Sequence, residues 1–130
     1  QFCHRTIYYR RYIDDIFFIF NGNQDELLQL LSEMDTYIPG IKLTWQYSTD
    51  SIDFLDLTIK KSPEGIVSFQ GYSKPISTFQ HLPPHSCHPP ATIRGYIKGE
   101  LIRVCSINTS LDDRGTACLL LFQRLRQRGY

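Results

Sequence analysis

The 130-residue chain is 42% hydrophobic and carries eight Phe, eight Tyr and one Trp, a composition that excludes a disordered or fibrous protein and points to one domain-sized unit or two small ones. Its net charge of +1 hides a gradient: residues 1–40 hold three basic against six acidic groups, residues 41–90 four against four, and residues 91–130 seven against three. An acidic start and a basic end imply a cation near the first and an anion near the second.

The chain begins with Gln1 inside an apparent strand, with no apolar leader ahead of it, and so reads as a piece of a longer polypeptide. From Ile7 to Phe20 the β-branched and aromatic residues predict strand, tight turn and strand, with the turn at Ile13-Asp14-Asp15. Counting in steps of two from Asp14 sets Tyr12, Arg10 and Tyr8 on its face and Ile13, Arg11, Tyr9 and Ile7 on the other. Adjacent carboxylates between two such runs destabilise a fold unless they face water or a cation, so the Asp14 carboxylate is expected at a solvent-accessible hairpin tip.

Asn23 with Glu26 three positions on forms a capping-box pattern. It opens a helix whose apolar positions are Leu27, Leu31, Met34 and Ile38, and Pro39-Gly40 closes it. Ile41, Leu43, Trp45 and Tyr47 alternate with polar residues as a half-buried strand. A further strand over Ile52–Lys60 and another over Ile66–Tyr72 are joined by the turn composition Ser62-Pro63-Glu64-Gly65. The order ββαβββ predicts an α+β layer. Pro75, Pro83, Pro84, Pro89 and Pro90 then keep residues 74–90 irregular. Beyond them lie two helices, one marked by Ile93, Ile97, Leu101 and Val104, the other capped by Ser110 and carrying Ala117, Leu121 and Leu125.

No apolar stretch approaches the ~20 residues of a membrane-spanning helix. Cys3, Cys87, Cys105 and Cys118 are scattered without a C-x-x-C pair, which fits reduced thiols. The expectation is a soluble intracellular protein, of nucleus or cytoplasm, with no membrane partner.

Tyr-Ile-Asp-Asp between two β runs resembles the Y-x-D-D box of reverse transcriptases, and the likeness extends along nearly the whole chain. YRRYIDDIFFIF, IKLTWQYS, IDFLDLTI, GYSKP, SCHPP, IKGELIRVCS and FQRLRQRGY are similar, in order, to landmarks of Penelope-like reverse transcriptases and related retroelement polymerases. The resemblance implies the C-terminal part of a polymerase palm over residues 1–73, with a primer-grip hairpin around Phe54–Tyr72, a Pro-rich connection over 74–90 and a helical thumb segment over 91–130. It implies RNA-directed DNA synthesis on an RNA or DNA template with primer and deoxynucleoside triphosphates. Two divalent ions about 3.5 to 4 Å apart would stabilise the attacking and leaving oxygens of nucleotidyl transfer. Hard carboxylate oxygens suit Mg²⁺, with Mn²⁺ the alternative ion. Asp14 is then the first metal ligand and Asp15 the second candidate, acting as a ligand or orienting Asp14. By the same resemblance Tyr12 packs against the primer-template end and Lys42 sits near the leaving pyrophosphate. Residues 1–6 contain no acid, so a further metal-ligating Asp and the fingers would have to come from elsewhere in a larger protein, and the isolated chain is expected to be inactive.

Each constellation has a plainer alternative. The Asp-Asp turn reads equally as a solvated turn, Lys42 as a solvent-facing strand residue, and Asp56 and Thr58 as the polar side of a strand. His81, His85, Cys87 and His88 invite a zinc reading, but their spacing matches no zinc finger and Ser86-Cys87-His88-Pro89 resembles a family landmark. Arg94, Lys98, Arg103, Arg124, Arg126 and Arg128 are solvated helix faces or, as the charge gradient favours, the tracks of a polyanionic duplex. Two other functions stay open: a domesticated or decayed relative that binds nucleic acid without polymerising, and a non-catalytic interaction module.

Overall fold

In a computed structural model of the chain, which describes residues 4–37, 39–78 and 80–130, eight elements follow one another. They are β1 (Thr6–Tyr12), β2 (Asp15–Phe20), α1 (Gln24–Tyr37), β3 (Ser51–Phe54), β4 (Leu57–Lys61), β5 (Val67–Gly71), α2 (Pro90–Ile107) and α3 (Leu111–Gln127). Cys3, and Ile38 of the expected helical stripe, lie outside the described residues. The architecture is α+β, with one antiparallel two-stranded sheet β1-β2 and one antiparallel three-stranded sheet β3-β4-β5. It divides into two compact units, residues 1–47 and 48–130. No helix among the described residues is long and apolar enough to cross a membrane.

In the first unit the expected hairpin forms, with Tyr12 opposite Asp15 and Arg10 opposite Phe17, and with a register shift between Thr6 and Tyr8. The α1 cap is the reciprocal box that the sequence announces: Glu26 N donates to Asn23 Oδ1 at 2.9 Å and Asn23 N donates to Glu26 Oε2 at 3.0 Å. Arg5 forms an ion pair with the same Glu26 carboxylate, tying the start of the hairpin to the start of the helix. Leu31 is buried, and Leu27 and Met34 are half-buried beside it.

The strand expected over Ile41–Tyr47 does not form; the segment pairs with no strand among the described residues. Alternation specifies two faces but supplies no ladder partner, and here side chains hold the segment instead. Trp45 stacks edge-to-face on Phe18 with centroids 6.0 Å apart, and its Nε1 donates to Asp35 Oδ1 at 3.1 Å.

In the second unit the single strand expected over Ile52–Lys60 is broken into β3 and β4. Phe54 pairs with Leu57, so Leu55-Asp56 is a two-residue turn, with Leu55 at φ 55°. An apolar residue in that conformation leaves no Gly or Asn for the sequence to display. The count ββαβββ therefore holds, but with different strands from those expected. The β4-β5 hairpin closes as its composition suggests: Gly65, at φ 83°, donates to Ser62 O at 2.9 Å, and Ser62 N donates to Ile66 O at 2.9 Å.

Pro90 opens α2 at a position where its missing N–H costs nothing. Ser110 caps α3, its Oγ accepting from Asp112 N at 3.2 Å and Asp113 N at 3.5 Å. Between the two helices, Val104, Leu121 and Leu125 form the buried core, flanked by Ile97, Leu101, Ala117, Cys118 and Tyr130. The chain ends in a Schellman motif: Gly129 (φ 102°) donates to Arg126 O at 3.0 Å and Tyr130 N donates to Leu125 O at 3.1 Å.

Candidate nucleic-acid interface and acidic turn

Ile13 and Asp14 form the two-residue turn between β1 and β2, and of the two only Ile13 has a positive φ, at 54°. A β-branched residue gains nothing from that conformation, and such strain persists where the surrounding structure enforces it, frequently at functional sites. Two contacts enforce it here: the Tyr12–Asp15 pairing and Arg11, whose Nε donates to Ile13 O at 2.8 Å. Asp14 and Asp15 are both exposed, and among the described residues neither carboxylate makes a hydrogen bond or ion pair.

The faces differ from those read by counting. Paired strand residues share a face, so Asp15, not Asp14, continues the surface of Tyr12, Arg10 and Tyr8, while Asp14 stands in the turn itself. On that surface Arg10 lies over the Tyr8 ring at 4.6 Å and Phe17 meets Tyr8 edge-on at 6.2 Å. Lys42 is exposed in the segment between α1 and β3 and forms no ion pair with either acid. The turn thus offers two hard, unengaged carboxylates, enough for the one or two that Mg²⁺ takes before substrate phosphate and water fill its shell. Among the described residues no three His, Cys, Asp or Glu side chains converge on a common point. The zinc reading of His81, His85, Cys87 and His88 gains no such cluster, and His81 and His88 have other contacts. His81 is buried, its Nδ1 lies 2.6 Å from Tyr96 Oη, and His88 Nδ1 lies 3.1 Å from Ser86 Oγ.

The basic residues of the second unit separate into engaged and unengaged groups. Arg94 and Lys98, one turn apart on α2, and Arg126 on α3 are exposed, with no ion pair among the described residues. Arg103 is held by Asp56, Nη2 to Oδ2 at 2.5 Å, with Glu100 4.0 Å from its other nitrogen. Asp56 is therefore a turn residue paired to a helix and not the polar side of a continuous strand. Arg124 is half-buried, which lowers its pKa by desolvation, and Arg128 donates from Nε to His81 O at 2.9 Å. The first turn of α3 carries Asp112 and Asp113.

The turn between the helices is itself a structural joint. Asn108 is 1% exposed. Its Oδ1 accepts from Gly71 N at 2.9 Å and its Nδ2 donates to Val104 O at 2.7 Å. Thr109 N donates to Phe69 O at 2.9 Å and Thr109 Oγ1 accepts from Phe69 N at 3.0 Å. The Asn108-Thr109 turn thereby covers the outer edge of β5, a row of polar groups that otherwise lies open. Sequence reasoning passed over this joint, although an Asn closing an apolar helical run is a stop signal.

Residues 80–130 match the family model described as the animal helix-turn-helix domain. No curated protein and no solved structure matches the chain. The match starts ten residues before α2, and the structure gives that start a physical basis. Besides the His81–Tyr96 contact, Tyr130 Oη donates to Leu82 O at 2.7 Å, so residues 81 and 82 are fastened to α2 and to the residues that follow α3.

Proposed function

We propose that the chain binds nucleic acid through the helical hairpin of α2 and α3. The observation that carries this is the helix-turn-helix match over residues 80–130 falling on two helices with unengaged basic side chains at Arg94, Lys98 and Arg126. A helix-turn-helix ordinarily places the N-terminal residues of its second helix against base edges. Asp112 and Asp113 in that turn oppose a polyanion, so the contacts fall to the α2 cations and the C-terminal end of α3. Such contacts fix position on phosphates and read little sequence. Fluorescence anisotropy of a labelled DNA duplex across a salt series tests this. The double reversal Arg94→Glu, Lys98→Glu should weaken binding strongly and flatten the logarithmic salt slope by about 2. Binding unchanged by the reversal rejects the assignment.

A second reading, reverse transcription, is favoured by the strained acidic turn. Here Asp14 and Asp15 hold Mg²⁺ or Mn²⁺, Tyr12 flanks Asp15 at the primer-template end, and Lys42 serves the leaving pyrophosphate. The support is that both acids are exposed and unengaged beside a β-branched residue at positive φ. The ion would stabilise the charge that develops on the oxygens of the transferred phosphoryl group. The chain's own contribution would be to hold two adjacent carboxylates at the hairpin tip, Asp14 in the turn and Asp15 at the start of β2. In a polypeptide that supplies the further acid and the fingers, Asp14→Asn should abolish primer extension while leaving primer-template binding intact, since the amide keeps the shape and removes the charge. Robust extension by that variant, or by the 130-residue chain alone, removes the turn from the catalytic centre.

A further inference from the structure

Cys105 on α2 and Cys118 on α3 are free thiols that differ in access: Cys105 is exposed and Cys118 is half-buried. Cys105 directly follows Val104, one of the three buried residues of the helical core, and Cys118 packs against that same core. The packing of α2 on α3 therefore brings together two thiols with twelve residues between them in sequence. Their contact is direct. Burial first, then the charge of Cys105 and a hydrogen bond with its side chain, push the Cys118 thiol up. The surface beside them is bare: a Cβ at Gly115, one turn before Cys118, would meet no side chain within 4 Å, and a helical side chain lies over the turn that precedes it. No third His, Cys, Asp or Glu joins the pair among the described residues, so the chemistry open to the two sulfurs is that of a dithiol.

We infer that Cys105 and Cys118 form a thiol–disulfide exchange site, which takes a low-molecular-weight disulfide of the oxidised-glutathione type and closes into a disulfide between α2 and α3. The Cys105 thiolate attacks one sulfur of the small disulfide. A new S–S bond joins Cys105 to one half, and the other half leaves as a thiolate that takes up the proton Cys105 released. Cys118 gives up its proton as it attacks the Cys105 sulfur, the Cys105–Cys118 bond forms, and the second half leaves as a thiol. The protein dithiol loses two electrons and two protons, and the small disulfide gains both as it becomes two thiols. The order follows from the site: exposed Cys105 meets the reagent, while half-buried Cys118 is screened from solution but already lies against the sulfur it must attack. Closure fastens α2 to α3 three residues before the Asn108 joint, and an excess of small thiol opens it again. Neither nucleic-acid binding nor the acidic turn uses a thiol, so the inference stands apart from both.

The test uses the 130-residue chain with Cys3→Ser and Cys87→Ser, which keeps only this pair, incubated with oxidised glutathione near neutral pH and mapped by mass spectrometry without reduction. Trypsin cuts after Arg103, Arg114 and Arg124, so the link appears as peptide 104–114 joined to peptide 115–124, and the free thiols should fall from two to none. Cys118→Ala keeps a small apolar side chain against the core. It should stop with glutathione on Cys105, at about tenfold or more the level of mixed disulfide in the paired chain, because a second thiol held in contact resolves it. Cys105→Ser should leave Cys118 unmodified over the same time; modification of Cys118 there as fast as that of Cys105 overturns the assignment. In denaturing urea, where the fold no longer holds the sulfurs together, the ratio of linked product to mixed disulfide should fall about tenfold or more. A pair that meets only through chain mobility keeps the same ratio in urea, and that result rejects the site. Glutathione resting on Cys105 of the paired chain with no link formed, or covalent dimers in place of the link, rejects it as well. Should Cys118→Ala unfold by circular dichroism, the peptide maps of the paired chain in native buffer and in urea decide alone.

Discussion

Gly71 N donates to Asn108 Oδ1 at 2.9 Å, across 37 residues of sequence, and with the two Thr109–Phe69 bonds it joins the three-stranded sheet to the turn of the helical hairpin. Because Asn108 is 1% exposed and also donates to Val104 O, truncating it strands a buried donor and acceptor together. Asn108→Ala should lower the stability of the second unit by about 2–3 kcal/mol in urea unfolding, the cost of unsatisfied buried polar groups. Asn108→Asp should fare no better, since it keeps the acceptor for Gly71 but turns a carboxylate oxygen toward the Val104 carbonyl.

Ser110 offers a contrast in scale. Its hydroxyl oxygen accepts from two backbone amides at the start of α3, but the site is exposed and water replaces the bond when it is lost. Ser110→Ala should cost about 1 kcal/mol, and Ser110→Asp should recover most of it. Thermal melts of the three proteins check the order.

These two residues also mark where the sequence is legible. Ser110 and the Asn23–Glu26 box are local signals that act within one helical turn, and each forms as read, whereas Pro90, read as the end of the irregular connection, is the first residue of α2. The Tyr-Ile-Asp-Asp hairpin is local too, and the exposure of Asp14 follows from the cost of burying an unpaired acid. Asn108 acts on Gly71 through tertiary structure, which no local pattern displays. The alternation of Ile41–Tyr47 and the apolar run through Phe54-Leu55 are also local, yet each misleads in its own way. Alternation cannot show that a strand lacks a partner, and a Leu at positive φ is invisible as a turn residue. At the candidate sites, residue type announced charge, but pairing decided availability. Arg103 and Arg128 are engaged, whereas Arg94 and Lys98 are not. The Gly129 cap is a further local signal, carried by Arg128-Gly129-Tyr130.

Tyr96 should set an alkaline limit on the stability of the second unit. Burial first, and the Glu100 carboxylate second, raise its pKa above the ordinary 10.0. The unfolded phenol therefore loses its proton at lower pH than the folded one. The stability tied to this group is whole below about pH 10 and is lost as the pH rises through the folded value. Tyr96→Phe should flatten that alkaline decline in melts recorded between about pH 8 and 11. At neutral pH it should cost about 1–2 kcal/mol, because the 2.6 Å contact to His81 disappears and His81 Nε2 already lacks a partner among the described residues. A decline as steep in the variant as in the wild type would assign the alkaline limit elsewhere.

Ile13 allows stability and function to be separated at the acidic turn. Holding a β-branched residue at φ 54° costs on the order of 1–3 kcal/mol, and glycine adopts the same conformation freely at an entropic cost of roughly 0.5–1 kcal/mol in the unfolded chain. Ile13 is 74% exposed, so its replacement leaves no cavity. Ile13→Gly should therefore stabilise the first unit by up to about 1–2 kcal/mol, measured by urea unfolding of the chain. If the turn serves only to reverse the strand, nothing else changes. If the strain fixes the carboxylates for a metal, the same substitution, placed in a polypeptide competent for primer extension, should slow nucleotide addition by tenfold or more with primer-template affinity unaltered. A variant that is both more stable and fully active would show that the strained residue has no part in positioning Asp14 and Asp15.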